Sequence, residues 1–179
     1  MRCGRIVFSG RCFCLLAILG LCARGQDVKN GPPKALVDEI GKYERLAANN
    51  PTNYNARYSL SQLYTSCYLW SATNSVGEAE GYRRKSVAAT ESALSAAPDI
   101  YARVFLGMTF ELLNEPNRAL PIYKDFIGQA EKTNEIPSNV EVAPSLRAKV
   151  QKERAALLAD VERRVHIIEG QSPTSPGKQ

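Results

Sequence analysis

Residues 101–110, Tyr-Ala-Arg-Val-Phe-Leu-Gly-Met-Thr-Phe, laid over residues 55–64, Asn-Ala-Arg-Tyr-Ser-Leu-Ser-Gln-Leu-Tyr, decide the fold. Both carry Ala-Arg-x-x-Leu-x-x-x-aromatic: Ala56-Arg57, Leu60 and Tyr64 in one, Ala102-Arg103, Leu106 and Phe110 in the other. The copies are offset by 46 residues, the distance from Leu60 to Leu106. Apolar residues at three- and four-residue steps make one face of a helix. A pattern that returns at this period points to repeated helix pairs rather than to one bundle.

Outward from these two segments the chain reads as helix after helix. Leu36, Ile40, Tyr43 and Leu46-Ala47 share a stripe over 35–48, which Asn49-Asn50-Pro51 stops. A helix over 54–70 carries Ala56, Leu60, Leu63, Tyr64 and Cys67, and the polar stretch 71–77 is expected to break it. The segment 78–97 is rich in Ala and Ser, small enough for close helix–helix approach, and Pro98-Asp99 ends it. A helix over 100–113 is followed by the turn Asn114-Glu115-Pro116 and a helix over 117–132. Residues 134–144 read as a loop, and 144–169 as a long, charged amphipathic helix with Leu146, Val150, Leu157, Val161, Val165 and Ile168. Residues 170–179, rich in Pro, Ser and Gly, are expected to be disordered. The expected fold class is all-α, with one helical domain over 35–169.

On these residues the chain resembles the tetratricopeptide repeat, a unit of about 34 residues with small and large apolar side chains at fixed places in two antiparallel helices. Leu106-Gly107, Phe110, Ala119 and Tyr123 stand at the family's spacing. Leu60-Ser61, Tyr64 and Pro98 match in the first copy, where about a dozen extra residues around 70–77 lengthen the join between the helices. Residues 40–51 are similar to the second helix of a leading, incomplete repeat. The chain departs from the family where Arg57 and Arg103 replace a large aromatic, and where the second copy lacks its closing proline. The resemblance implies a short solenoid of antiparallel helix pairs, capped by the leading helix and by the long C-terminal one.

Of the formal charge of +5, +4 belongs to the first 25 residues, which hold Arg2, Arg5, Arg11 and Arg24 and no acid. Without them 19 bases face 18 acids, too even a balance to steer the chain to phosphate, so no nucleic-acid partner is expected. Basic residues to position 11, the apolar run 13–22 and Ala23-Arg24-Gly25 have the layout of a secretory signal peptide cut after Gly25. The expected order is thus a leader over 1–25, a linker over 26–34 and the helical domain, in an exported protein, periplasmic or secreted. Lipidation of Cys22 is the alternative, and the one route to a membrane. Cleavage leaves Cys67 alone, so no internal disulfide is expected. Its ordinary reading is a small buried hydrophobe, with an intermolecular disulfide or a reactive thiol as the alternatives.

In the resembled family the first helix of each pair lines a concave groove. Carried over by register, the groove positions are Asn55, Tyr58, Ser59, Gln62 and Thr65 in the first copy, and Tyr101, Val104, Phe105, Met108 and Glu111 in the second. Amide, aromatic and apolar groups in that mixture suit a peptide or helix of a partner protein. Val104, Phe105 and Met108 could instead pack against the last helix. The insert at Cys67-Tyr68-Leu69-Trp70 holds the only Trp, either a core plug or an exposed contact. One histidine, His166, builds neither a zinc site nor a triad without partners nearby. No phosphate-binding glycine loop occurs, and neither catalysis nor a cofactor is expected. The expected function is an exported interaction module. The alternative is a structural or lipid-anchored envelope component that self-associates through its C-terminal helix.

Overall fold

The computed structural model describes residues 31–74, 77–130 and 144–171, with side chains of the last stretch from 148 to 170. The leader with its Cys22, most of the linker, the loop over 134–144 and most of the tail lie outside the described residues. Six helices and no strand occur among the described residues: α1 Lys34–Asn49, α2 Tyr54–Thr73, α3 Ala79–Ser95, α4 Ile100–Leu112, α5 Pro116–Ala130 and α6 Pro144–Gln171. The chain divides into two compact units, Met1–Ala96 and Ala97–Gln179, where a single helical domain over 35–169 is the expectation from the sequence. No described helix is long and apolar enough to cross a membrane.

Local chemistry sets the helix ends. Pro33 opens α1, and Asn50 followed by Pro51 closes it, the Asn50 N–H donating to the Leu46 carbonyl at 3.1 Å. Asn53 caps α2, its side chain accepting from the Ala56 N–H at 3.1 Å. Asp99 caps α4 in the same way, accepting from the Ala102 N–H at 2.7 Å. Asn53 and Asp99 are 46 residues apart, as are Ala56 and Ala102, so the repeat of the sequence pattern extends to the caps. α4 ends on Asn114 in the left-handed region (φ 59°), with the Glu115 N–H donating back to the Phe110 carbonyl at 2.8 Å. Pro116 then supplies the first position of α5, where a missing N–H is harmless.

In the first unit Leu36 and Ile40 of α1 pack with Leu60, Leu63, Tyr64 and Cys67 of α2. Tyr43, Ala47, Tyr82 and Ala89 close around them, and Cys67 is fully buried. Beside these contacts α2 and α3 also meet along a seam of hydroxyls. The Ser61 Oγ lies 2.7 Å from the Thr90 Oγ1, and the Thr65 Oγ1 lies 2.6 Å from the Ser86 Oγ. Thr65 also donates to the Ser61 carbonyl at 2.8 Å, and Thr90 to the Ser86 carbonyl at 2.7 Å. All four side chains are buried and satisfied by one another or by helix carbonyls, so the seam carries no desolvation penalty for a lost bond. Side chains this small let the two backbones come close.

In the second unit the small residue is Gly107. A Cβ there would meet the Tyr123 ring, 2.7 Å from Cε1 and 3.3 Å from Cδ1 and Cζ. Gly107 corresponds to Ser61 at the 46-residue offset, but Tyr123 corresponds to Thr90 at an offset of only 33. The difference of 13 residues is the insert. It lies in a longer α2, an earlier start of α3 and a longer connection between them. Polar residues 71–77 do not stop α2 where the sequence suggests: it runs to Thr73, with Ser71 buried and Trp70 half-buried. Cys67 and Tyr82, both in the lengthened region, pack in the cluster that receives Leu36 and Ile40 near the start of α1.

α6 runs antiparallel to α5, with Lys124 on Glu169 at 2.7 Å. It runs parallel to α4: Arg154 lies over the Tyr101 ring, and Arg164 pairs with Glu111, so the two contacts are ten residues apart on each helix. Val161 and Ile168 are the fully sheltered apolar residues on its described length.

Candidate functional site

Tyr101, Phe105, Met108 and Leu112 follow one another on α4 at four-, three- and four-residue steps, and so share one face about 16 Å long. Phe105 is 37% exposed and Leu112 47%, while Tyr101 and Met108 are half-buried. A row of aromatic and aliphatic groups held at the surface is the kind of anchor that partner side chains use. The structure therefore brings together three of the second copy's expected groove residues, Tyr101, Phe105 and Met108, and adds Leu112.

Val104 and Glu111 take other places. Val104 is fully buried, so it belongs to the core and is withdrawn from the partner-facing set. It lies two turns before Glu111 on the flank of α4 that α6 approaches. Glu111 pairs with Arg164, which also donates from Nε to Asp160 at 2.7 Å. Burial works to raise Asp160, but hydrogen bonds from Arg164 and Arg163 hold its carboxyl below the usual range. Beside this network the Tyr123 hydroxyl is buried and reaches hydrogen-bond geometry with neither Glu111 nor Arg164. Burial first, then the Glu111 charge, pushes that phenol well above its ordinary value.

In the first copy Asn55 is exposed, Tyr58, Ser59 and Gln62 are half-buried, and Thr65 is buried in the hydroxyl seam. Tyr58 packs on Tyr54 with ring centroids 5.7 Å apart. Offset by 46 residues, the α2 counterparts of the α4 row are Asn55, Ser59, Gln62 and Ser66. The row is thus polar on α2 and apolar on α4.

Next to Tyr101 a cleft of about 340 Å³ opens between α4, α5 and α6. Tyr101, Phe126, Ala130, Gln151, Arg154, Ala155 and Leu158 line it. Tyr101 and Phe126 meet edge to face at 5.7 Å, and the Arg154 guanidinium stands 5.4 Å from the centre of the Tyr101 ring. None of the α5 and α6 residues here belongs to the set expected from sequence. Leu112 was within reach of it, two turns after Phe105 at helical spacing. Arg154 and Leu158 carried no such signal, because only the placement of α6 brings them beside Tyr101.

Among the described residues no group of three or more His, Cys, Asp or Glu could hold a metal ion. His166 is exposed on α6, and Cys67 is inaccessible in the core of the first unit. The chain matches no protein-family model, no curated protein and no solved structure.

Proposed function

We propose that this chain is an exported protein-interaction module of the tetratricopeptide-repeat type, binding a peptide or protein segment along the exposed face of α4. The observation that carries this reading is the row Tyr101, Phe105, Met108 and Leu112, with two large apolar side chains left at the surface. Three features support the repeat assignment. Cap residues Asn53 and Asp99 recur at the period of the helices they start. Each hairpin places a small residue of its first helix against the second: Ser61 on Thr90, Gly107 on Tyr123. The thirteen additional residues lengthen one hairpin without disturbing that pairing. The leader's composition supports export, with a mature start at Gln26 or a lipidated Cys22.

Crosslinking capture from the envelope or secreted fraction tests the binding face, with wild type set against Phe105→Ser/Leu112→Ser. Both side chains are exposed, so the double variant should keep its helical circular dichroism. A partner recovered with the wild type and lost from the folded variant is the expected result. The same partners on both proteins would remove α4 as the working surface.

A further inference from the structure

We infer that the cleft between α4, α5 and α6 receives the C-terminal residue of a peptide, its apolar side chain lodged against Tyr101, Phe126 and Leu158 and its α-carboxylate on Arg154. The inference rests on the reading of the chain as an interaction module and adds the chemistry of what it binds.

Arg154 is the only charged group among the described residues that line the cleft. It is half-buried, and its one described interaction is with the Tyr101 ring, with no carboxylate paired to it among the described residues. The ring attracts the guanidinium charge from 5.4 Å, and no described residue accepts a hydrogen bond from its N–H groups, so those donors remain for a ligand. A guanidinium matches a carboxylate with two parallel bonds, which an ammonium or an amide cannot do. The surrounding charge agrees: the described charged residues of this half of α6 are Lys149, Lys152, Glu153 and Arg154, and Lys149 pairs with Glu153. Lys152 and Arg154 are left to favour an anion. Apart from the Gln151 amide and the Tyr101 phenol, the other described side chains of the lining are hydrocarbon.

Size decides between a chain end and an internal acidic stretch. About 340 Å³ is at the small end of ligand-holding pockets. A terminal residue presents carboxylate and apolar side chain on one α-carbon, and both fit. An internal segment would need two side chains and a backbone passing through. The cleft adjoins the α4 row at Tyr101, so the residues preceding the chain end can continue along Phe105 and Met108.

Panning a display library of random hexapeptides with free C-termini on the purified protein and on Arg154→Gln tests this. The wild type should enrich sequences that end in an apolar residue. Their affinity, read by fluorescence anisotropy, should fall tenfold or more when the terminus is amidated, and as much on Arg154→Gln, the cost of a charge-assisted pair. Arg154→Lys should restore part of it. Arg103→Gln, which only breaks the exposed contact with Asp125 on another face of α4, should change nothing. Ala155→Phe, which fills the cleft at an exposed helical position and spares Arg154, should abolish binding while thermal unfolding stays as in wild type. Enrichment equal on wild type and Arg154→Gln would overturn the proposal, and so would peptides that bind as well when amidated. If Phe105→Ser/Leu112→Ser still loses its captured partner in that event, the α4 face stands and only the cleft's ligand falls.

Discussion

Gly107 has no room for a side chain, because Tyr123 fills the space where a Cβ would be and is itself fully buried. Gly107→Ala gains helix propensity of about 1 kcal/mol. It must also displace a ring with nowhere to go, and overpacking of this kind costs about 1–3 kcal/mol. The expected outcome in urea unfolding is net destabilisation. Gly128→Ala on α5 meets nothing within 4 Å and should be neutral or stabilising by up to about 1 kcal/mol. Equal effects at the two glycines would refute the contact. Two tyrosines make a second residue-scale prediction. Burial, then a 2.5 Å bond to Glu44 and the charge it carries, raises the Tyr64 phenol, and burial raises Tyr123. Both folded values lie above the unfolded value of about 10, so the protonated form is the one the fold favours. Their contribution to stability is complete below pH 10 and is lost as pH rises toward the folded values. Absorbance at 295 nm should therefore show Tyr64 and Tyr123 ionising only as helical dichroism collapses. A single phenol titration near pH 10 with the dichroism unchanged would contradict their burial.

At the scale of the elements, α6 is tied to α4 by a partly buried pair and to α5 by an exposed one. The Arg164 and Glu111 side chains are 29% and 21% exposed, and Arg164 also holds Asp160. Arg164→Ala leaves Glu111 without its partner beside the buried Tyr123 hydroxyl, and a loss of about 1–2 kcal/mol is expected from chemical unfolding. Lys124 and Glu169 are 55% and 49% exposed, so Lys124→Ala should stay within about 0.5 kcal/mol. A Lys124 effect as large as that of Arg164 would mean the α4 contact does not anchor α6. The position of every helix was legible in the chain, since three- and four-residue spacing and the punctuation at Pro51, Pro98 and Pro116 are local signals. The end of α2 was not. Residues 71–73 look like a break, yet they continue the helix in the lengthened region where Cys67 and Tyr82 receive the start of α1.

For the molecule as a whole, the self-associating alternative depends on an apolar face of α6 being left over. Along its described side chains Val161 and Ile168 are buried, Val150, Leu157, Leu158 and Val165 are half-buried, and Ile167 alone is a large exposed hydrophobe, at 44%. Single exposed apolar residues do not make a dimer interface. The purified protein should sediment as a monomer with a mass that does not change with concentration. A dimer abolished by Ile167→Glu would reverse that reading and restore α6 as an assembly surface.

The positions of the described helices and the recurrence of the sequence pattern follow from the chain alone, because periodicity, caps and prolines act between residues close in sequence. The small residues at Gly107 and Ala119, and the row Tyr101, Phe105 and Met108, are legible for the same reason, once the helix register is known. Which face of α4 stays open needed the tertiary structure. Val104 and Phe105 are apolar neighbours, yet one is buried and the other exposed, and only the packing around α4 decides which. Arg154 looks like any charge on a solvated helix until packing sets it over Tyr101, more than fifty residues away in the chain. Sites built from such distant residues leave no local pattern, and only the fold assembles them.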